Sequence, residues 1–161
     1  MFPGTWKDNV LANDLKFECV AGRLSRSGLT ELSVLNEDLF GLGETPDALE
    51  RFFNECRDLL FVFCRSNHTL VGFKVGMYAE AYVFDSWRGG VHPNLRRRGI
   101  ARRLTRMQHN WCRAHGYQRI QTVTNQENEA MLNLNRAMGF SLVRTFVNKQ
   151  GRKKVLQKKT L

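Results

Sequence analysis

Between Tyr82 and Gly116 the chain reads as a strand, an arginine-rich turn and a helix in immediate succession, and any fold must house that unit. The strand runs from Tyr82 to Val91 and stops before Pro93, which has no N–H to give to a sheet ladder. Apolar residues return at Ile100, Leu104, Met107 and Trp111, one face of a helix from Gly99 to His115 with Gly116 as its stop. Arg96, Arg97 and Arg98 fill the turn between them. The first N–H groups of a helix have no partner within it, and the macrodipole favours negative charge at the same place. Gly99 permits close backbone approach, and the small Ala101 keeps bulk away. Such a turn suits a pyrophosphate.

The flanking segments predict a mixed sheet with helices against it. Leu15–Val20 reads as a strand and Ser27–Leu39 as a helix. Thr45-Pro46-Asp47 has the hydroxyl cap, first-turn proline and acid of a helix start, and that helix is expected to run to about Asp58. Leu59–Cys64 is short and wholly apolar, as a buried strand should be, and Ser66-Asn67-His68 turns into a strand over Thr69–Tyr78. Ile120–Thr124 reads as a strand and Asn128–Met138 as a helix, and a hairpin of Phe140–Asn148 and Lys153–Thr160 closes the chain. The order is β-α-α-β-β-β-α-β-α-β-β.

Charge distribution narrows the function. The 161 residues carry a formal charge of +10, from 25 basic and 15 acidic side chains, an excess that attracts phosphates and keeps a nucleic-acid protein in view. Eight acids lie in one stretch (Glu31, Glu37, Asp38, Glu44, Asp47, Glu50, Glu55 and Asp58), whereas no acid separates Asp85 from Glu127, where nine arginines fall. One region is expected to suit a cation and another a polyanion. Cys19, Cys56, Cys64 and Cys112 form no CxxC pair, which argues against zinc and for reduced thiols. No run is long and apolar enough for a membrane span, and the start lacks the order of a secretory leader; the expectation is a cytoplasmic protein.

Two motifs together resemble one family. Arg96-x-x-Gly99-x-Ala101, after a strand ending in Val91, is similar to the (Gln/Arg)-x-x-Gly-x-(Gly/Ala) acyl-CoA loop of the GNAT superfamily of N-acetyltransferases. Downstream, Asn128-x-x-Met131-x-x-Leu134-Asn135-x-x-Met138-Gly139-Phe140 resembles the family's Asn-x-x-Ala-x-x-Leu-Tyr-x-x-Leu-Gly-Phe segment. The resemblance implies an α+β fold over residues 1–161 as a single acyl-CoA-binding domain: a mixed, mostly antiparallel sheet of about seven strands, splayed in the middle and flanked by about four helices. It implies acetyl-CoA as co-substrate, no metal, and a primary amine as acceptor, small molecule or peptide. Pantetheine would bond the backbone at Val91, the amides of Arg96, Arg97, Arg98, Gly99, Ile100, Ala101 and Arg102 would cradle the pyrophosphate, and Asn128 would meet the cofactor from the opposite side.

Acetyl transfer to an amine needs a base, because an amine of pKa ~10 is protonated at neutral pH. The resemblance places that base at Asp85, six residues before Val91, and the short side chain favours a bridging water. Strict alternation puts Asp85 on one side with Trp87, Gly89 and Val91. A tyrosine that protonates the thiolate in many members is Asn135 here; an amide is no acid but can donate a hydrogen bond to sulfur or pantetheine. The early acid cluster, near the family's acceptor site, is expected to draw a cationic amine. Two other readings stay open, a nucleic-acid- or ribosome-associated module using the basic tail from Lys149 to Lys159 and a non-catalytic acyl-CoA sensor, as does a homodimer.

Overall fold

The computed structural model describes residues 14–161; the reading of the chain's start lies outside them. Seven strands form one sheet in the order β1-β2-β3-β4-β5-β7-β6. Their ranges are β1 Leu15–Ala21, β2 Leu60–Ser66, β3 Thr69–Glu80, β4 Val83–Val91, β5 Arg119–Asn125, β6 Ser141–Val147 and β7 Lys153–Thr160. Four helices accompany them: α1 Arg26–Phe40, α2 Pro46–Asn54, α3 Ile100–Ala114 and α4 Glu129–Ala137. All neighbouring strands pair antiparallel except β4 and β5, which are parallel and joined through α3. This is the expected α+β architecture.

Burial on both faces explains the unbroken apolar run of β2. Phe61 and Phe63 point into a cluster with Leu29, Leu32 and Leu35 of α1 and Leu49 and Phe53 of α2. Leu60, Val62 and Cys64 point the other way, to Ile100, Leu104 and Cys112 of α3 and to Phe140 after α4. Helix α2 starts on the cap read from the sequence, Thr45 Oγ1 accepting from Ala48 N at 3.1 Å, whereas α1 starts a residue before the expected Ser27 on a cap that was not read, Ser25 Oγ accepting from Gly28 N at 3.2 Å; each such cap contributes about 1 kcal/mol. Asn67 and His68, both at positive φ, make the two-residue turn between β2 and β3.

Helix α2 ends at Asn54, four residues short of the expected Asp58. The buried stripe of Leu49 and Phe53 has no strongly apolar successor before Leu59, and Asp58 takes a φ of 50°, which turns the chain into β2. Its carboxylate accepts from the Tyr117 hydroxyl.

Candidate active site

The β4–β5 pairing is short. Val83, Phe84 and Asp85 face Arg119, Ile120 and Gln121, and Thr122 Oγ1 donates to Ser86 O at 3.0 Å; beyond that the strands part while β4 runs on to Val91 and β5 to Asn125. The cause of the parting lies in β4. Opposite it, Val75 of β3 faces Arg88 and Gly76 faces Ser86, so Trp87 is an extra residue, a β-bulge that bends its strand.

The bulge overturns the alternation expected from sequence. Asp85 lies opposite Met77 and Arg88 opposite Val75, both in the cluster under α1 and α2, and the Trp87 ring packs tilted against Phe52 and edge-to-face with Phe53 of α2. Gly89 and Val91 lie opposite Lys74 and Gly72, on the α3 side, where a Cβ on Gly72 would touch Ile100. Asp85 and Trp87 therefore share a face that Gly89 and Val91 do not, because one inserted residue reverses every later position.

Beyond the fork the exposed edge of β4 is ready to pair with something else. His92 N donates to Val71 O at 2.8 Å, so Val91 and Gly89, out of phase with it, turn their N–H and C=O away from β3 and into the opening. Arg96 Nε donates to Val91 O at 3.0 Å, which ties the arginine to the strand end. The turn that follows is anchored by buried Leu95 and by His92 Nδ1, which accepts from Asn94 N at 3.1 Å. Arg97 and Gly99 both adopt left-handed φ, 64° and 78°. No atom lies within 4 Å of where a Cβ on Gly99 would stand, so it is the dihedral, not crowding, that calls for glycine there. The first helical bond of α3 is Arg103 N to Gly99 O at 3.0 Å. The amides of Arg97, Gly99, Ile100, Ala101 and Arg102 have no acceptor among the described residues, and the positive end of α3 lies beneath them.

Edge and turn open on one cavity of about 580 Å³, closed on its far side by Asn128, Met131 and Leu134 of the α4 segment. Of the residues singled out by sequence, Val91, Arg96, Arg97, Gly99, Ile100, Ala101, Arg102 and Asn128 line it; Arg98, Asp85 and Asn135 do not. Asn128 is also the α4 cap, its Oδ1 accepting from Met131 N at 3.1 Å. Asn135 is buried, and its Nδ2 donates to Gln157 Oε1 at 2.9 Å and to Thr124 Oγ1 at 3.5 Å. Asp85 sits at the fork itself. Burial raises its pKa from the ordinary carboxylate value, and a hydrogen bond from Gln121 partly opposes the rise.

Two features escaped the sequence reading. The acid cluster is largely occupied: Glu44 pairs with Arg88 at 2.7 Å, Glu31 with Arg65, Asp47 and Glu50 with Arg26, and Glu37 accepts from Gly43 N. It does not form the free acidic mouth expected of it. Lys74, in turn, lines the cavity from β3 although it was not singled out. Its signal was available, as the lone charge in the run Leu70–Met77.

The sequence matches the model of the acetyltransferase (GNAT) family over residues 29–140. No relative is found among curated proteins. The fold is similar to Ard1 from Thermoplasma volcanium (TM-score 0.74, 14% identity, 89% of this chain and 97% of that one). It is also similar to the ribosomal-protein-S18-alanine N-acetyltransferase of Escherichia coli (0.72, 13%, 89% and 94%) and to a putative acetyltransferase of Acinetobacter baylyi (0.74, 14%, 91% and 94%). The family match spans well over half the chain and takes in both the phosphate-type turn and the α4 segment, so this protein belongs to the GNAT family of acetyltransferases.

Proposed function

We propose that the protein moves an acetyl group from acetyl-CoA to a primary amine by direct attack in a ternary complex. The observation that carries this reading is one cavity that holds both the unpaired amides at the start of α3 and the outward edge of Gly89 and Val91, whose one engaged group is Val91 O on Arg96 Nε. A diphosphate suits the first and an extended, amide-bearing arm the second. The amides of Arg97 and Gly99–Arg102 would hold the pyrophosphate, with the side chains of Arg96, Arg97 and Arg102 supplying charge and Asn128 the opposing wall. An arm of that kind bonded along β4 would bring its thioester toward the fork, where Asp85 stands.

Asp85 is our candidate base. Its raised pKa makes the carboxylate a better proton acceptor than a solvated one, and its place on the α1/α2 side points to an amine arriving from there, past Trp87 and Phe52. Since the site does not include the carboxyl among its lining residues, a water between Asp85 and the amine fits the arrangement. With four of the eight early acids paired to arginines, Asp85 rather than the cluster supplies the attraction for an amine. A cytoplasmic setting belongs to the same reading. No described helix is long and apolar enough to cross a membrane.

The nucleic-acid alternative loses ground at the tail. Lys159 turns inward, its Nζ donating to Met138 O at 2.6 Å and to His109 Nδ1 at 3.2 Å, instead of adding to a basic outer surface. The test is thermal unfolding with acetyl-CoA and then with an amine panel scored by thiol release. Acetyl-CoA at a hundred times its Kd should stabilise the fold by about 2.7 kcal/mol. Absence of any shift with acetyl-CoA or CoA would refute the reading; binding without turnover across the panel would favour the sensor.

A further inference from the structure

One buried charged group in the cavity has no counter-charge among the described residues. Lys74 is 9% exposed, lines the cavity, and makes no hydrogen bond or ion pair among the described residues. Burying an ammonium without a partner is costly, so a lysine retained there calls for an explanation in what the cavity receives. Its reach depends on the residue across the ladder. Lys74 faces Gly89, and a Cβ on Gly89 would stand 3.3 Å from Lys74 Cγ and 3.1 Å from Phe73 O. The lysine stem thus crosses β4 through the space a side chain would take. It approaches the same stretch of free edge that the arm would bond, between the fork at Asp85 and the turn at Gly99.

Lys74 and Asp85 attend that stretch from opposite faces of the sheet, Asp85 with Met77 on the α1/α2 side and Lys74 with Gly72 on the α3 side. An amine attacking from one face drives the leaving sulfur toward the other. The group expected there from sequence, Asn135, cannot lend a proton, and its amide is already engaged with Gln157 and Thr124.

Resting on the acetyl-CoA reading above, we propose that Lys74 is the proton donor to the departing CoA thiolate. The amine nitrogen bonds the carbonyl carbon and its proton passes to Asp85, directly or through water. The carbon–sulfur bond breaks with its electron pair going to sulfur, and sulfur takes a proton from the Lys74 ammonium. Lys74 is left neutral and regains a proton from solvent as CoA leaves.

The surroundings match this task. Burial holds Lys74 down at about 8, close to an ordinary thiol at ~8.5, so the proton moves between near-equal acids. From α3 it faces His109, which burial and the charges of Lys159, Lys74 and Arg113 hold down at about 3 and therefore neutral. From β7 Lys159 reaches His109, and no carboxylate among the described residues acts on Lys74.

The test uses CoA itself and the Lys74→Met variant, which keeps the stem and removes the charge. The ultraviolet absorbance of the bound thiolate is titrated against a desulfo-CoA complex as blank. In the wild type the bound thiol should ionise about one unit or more lower than in the variant, because a nearby ammonium stabilises thiolate. With an amine that turns over, the variant should lose about tenfold or more in kcat, and the wild type alone should show a fall in kcat as Lys74 deprotonates at alkaline pH. Equal thiol ionisation in the two proteins, or an unchanged alkaline limb in the variant, would overturn the proposal. Failure of CoA to bind either protein would instead bring down the acetyl-CoA reading, and the proposal with it.

Discussion

Lys74 also makes a prediction about stability that needs no substrate. Its ammonium falls from an ordinary 10.5 to about 8 on folding, with burial as the cause. At 1.36 kcal/mol per unit, the protonated side chain opposes folding by about 3 kcal/mol. Below pH 8 both states hold the proton and the whole penalty is present. Between pH 8 and 10.5 the unfolded chain binds a proton that the folded one does not, so stability rises with pH; above 10.5 the penalty is gone. Lys74→Met should therefore be more stable than the wild type by about 3 kcal/mol at pH 7, less whatever the thioether loses in packing, and the gap should close as pH climbs to 10.5. For a chain of this length that is a rise in Tm of about 6–12 °C. Paired urea denaturations at several pH values measure it, and groups common to both proteins cancel in the difference. A variant less stable than the wild type at pH 7, or a gap that does not change with pH, would refute the reasoning. Bound CoA should narrow the gap as well, since its anionic groups favour the charged lysine.

Other expectations follow from the fork and the turn. Asp85→Asn should lower kcat by about a hundredfold or more, and should abolish an acid limb in kcat/KM that lies above the ordinary carboxylate range because burial raises the Asp85 pKa; a full-rate variant would exclude Asp85 as base. Gly76→Ala should destabilise by about 1–3 kcal/mol in urea denaturation, because its Cβ would stand 2.2 Å from the Phe84 ring and 2.7 Å from Asp85 O. Gly99→Ala meets no atom but must hold a φ of 78°, so urea denaturation or acetyl-CoA calorimetry should register a loss of about 1 kcal/mol, and no clash-driven unfolding.

Patterns local in sequence were legible. The periodicity of Ile100, Leu104, Met107 and Trp111, the capping residue Thr45, and the turn from Pro93 to Gly99 each depend on neighbours a few residues away. Every strand and α-helix of the described residues was therefore expected, with the end of α2 the main displacement, and so was the strand–turn–helix passage around Gly99. Faces and partners were not legible. Which side of β4 Asp85 occupies depends on a bulge at Trp87 that exists only because β3 pairs as it does. Whether the acids from Glu31 to Asp58 stand free depends on arginines at positions 26, 65 and 88 that folding brings to them. Lys74 became part of the cavity only when Gly89, fifteen residues on, was laid across from it in the ladder. Hydrophobic period and caps are written along the chain, whereas the environment of a charge is a sum over space, and only the folded sheet supplies its terms.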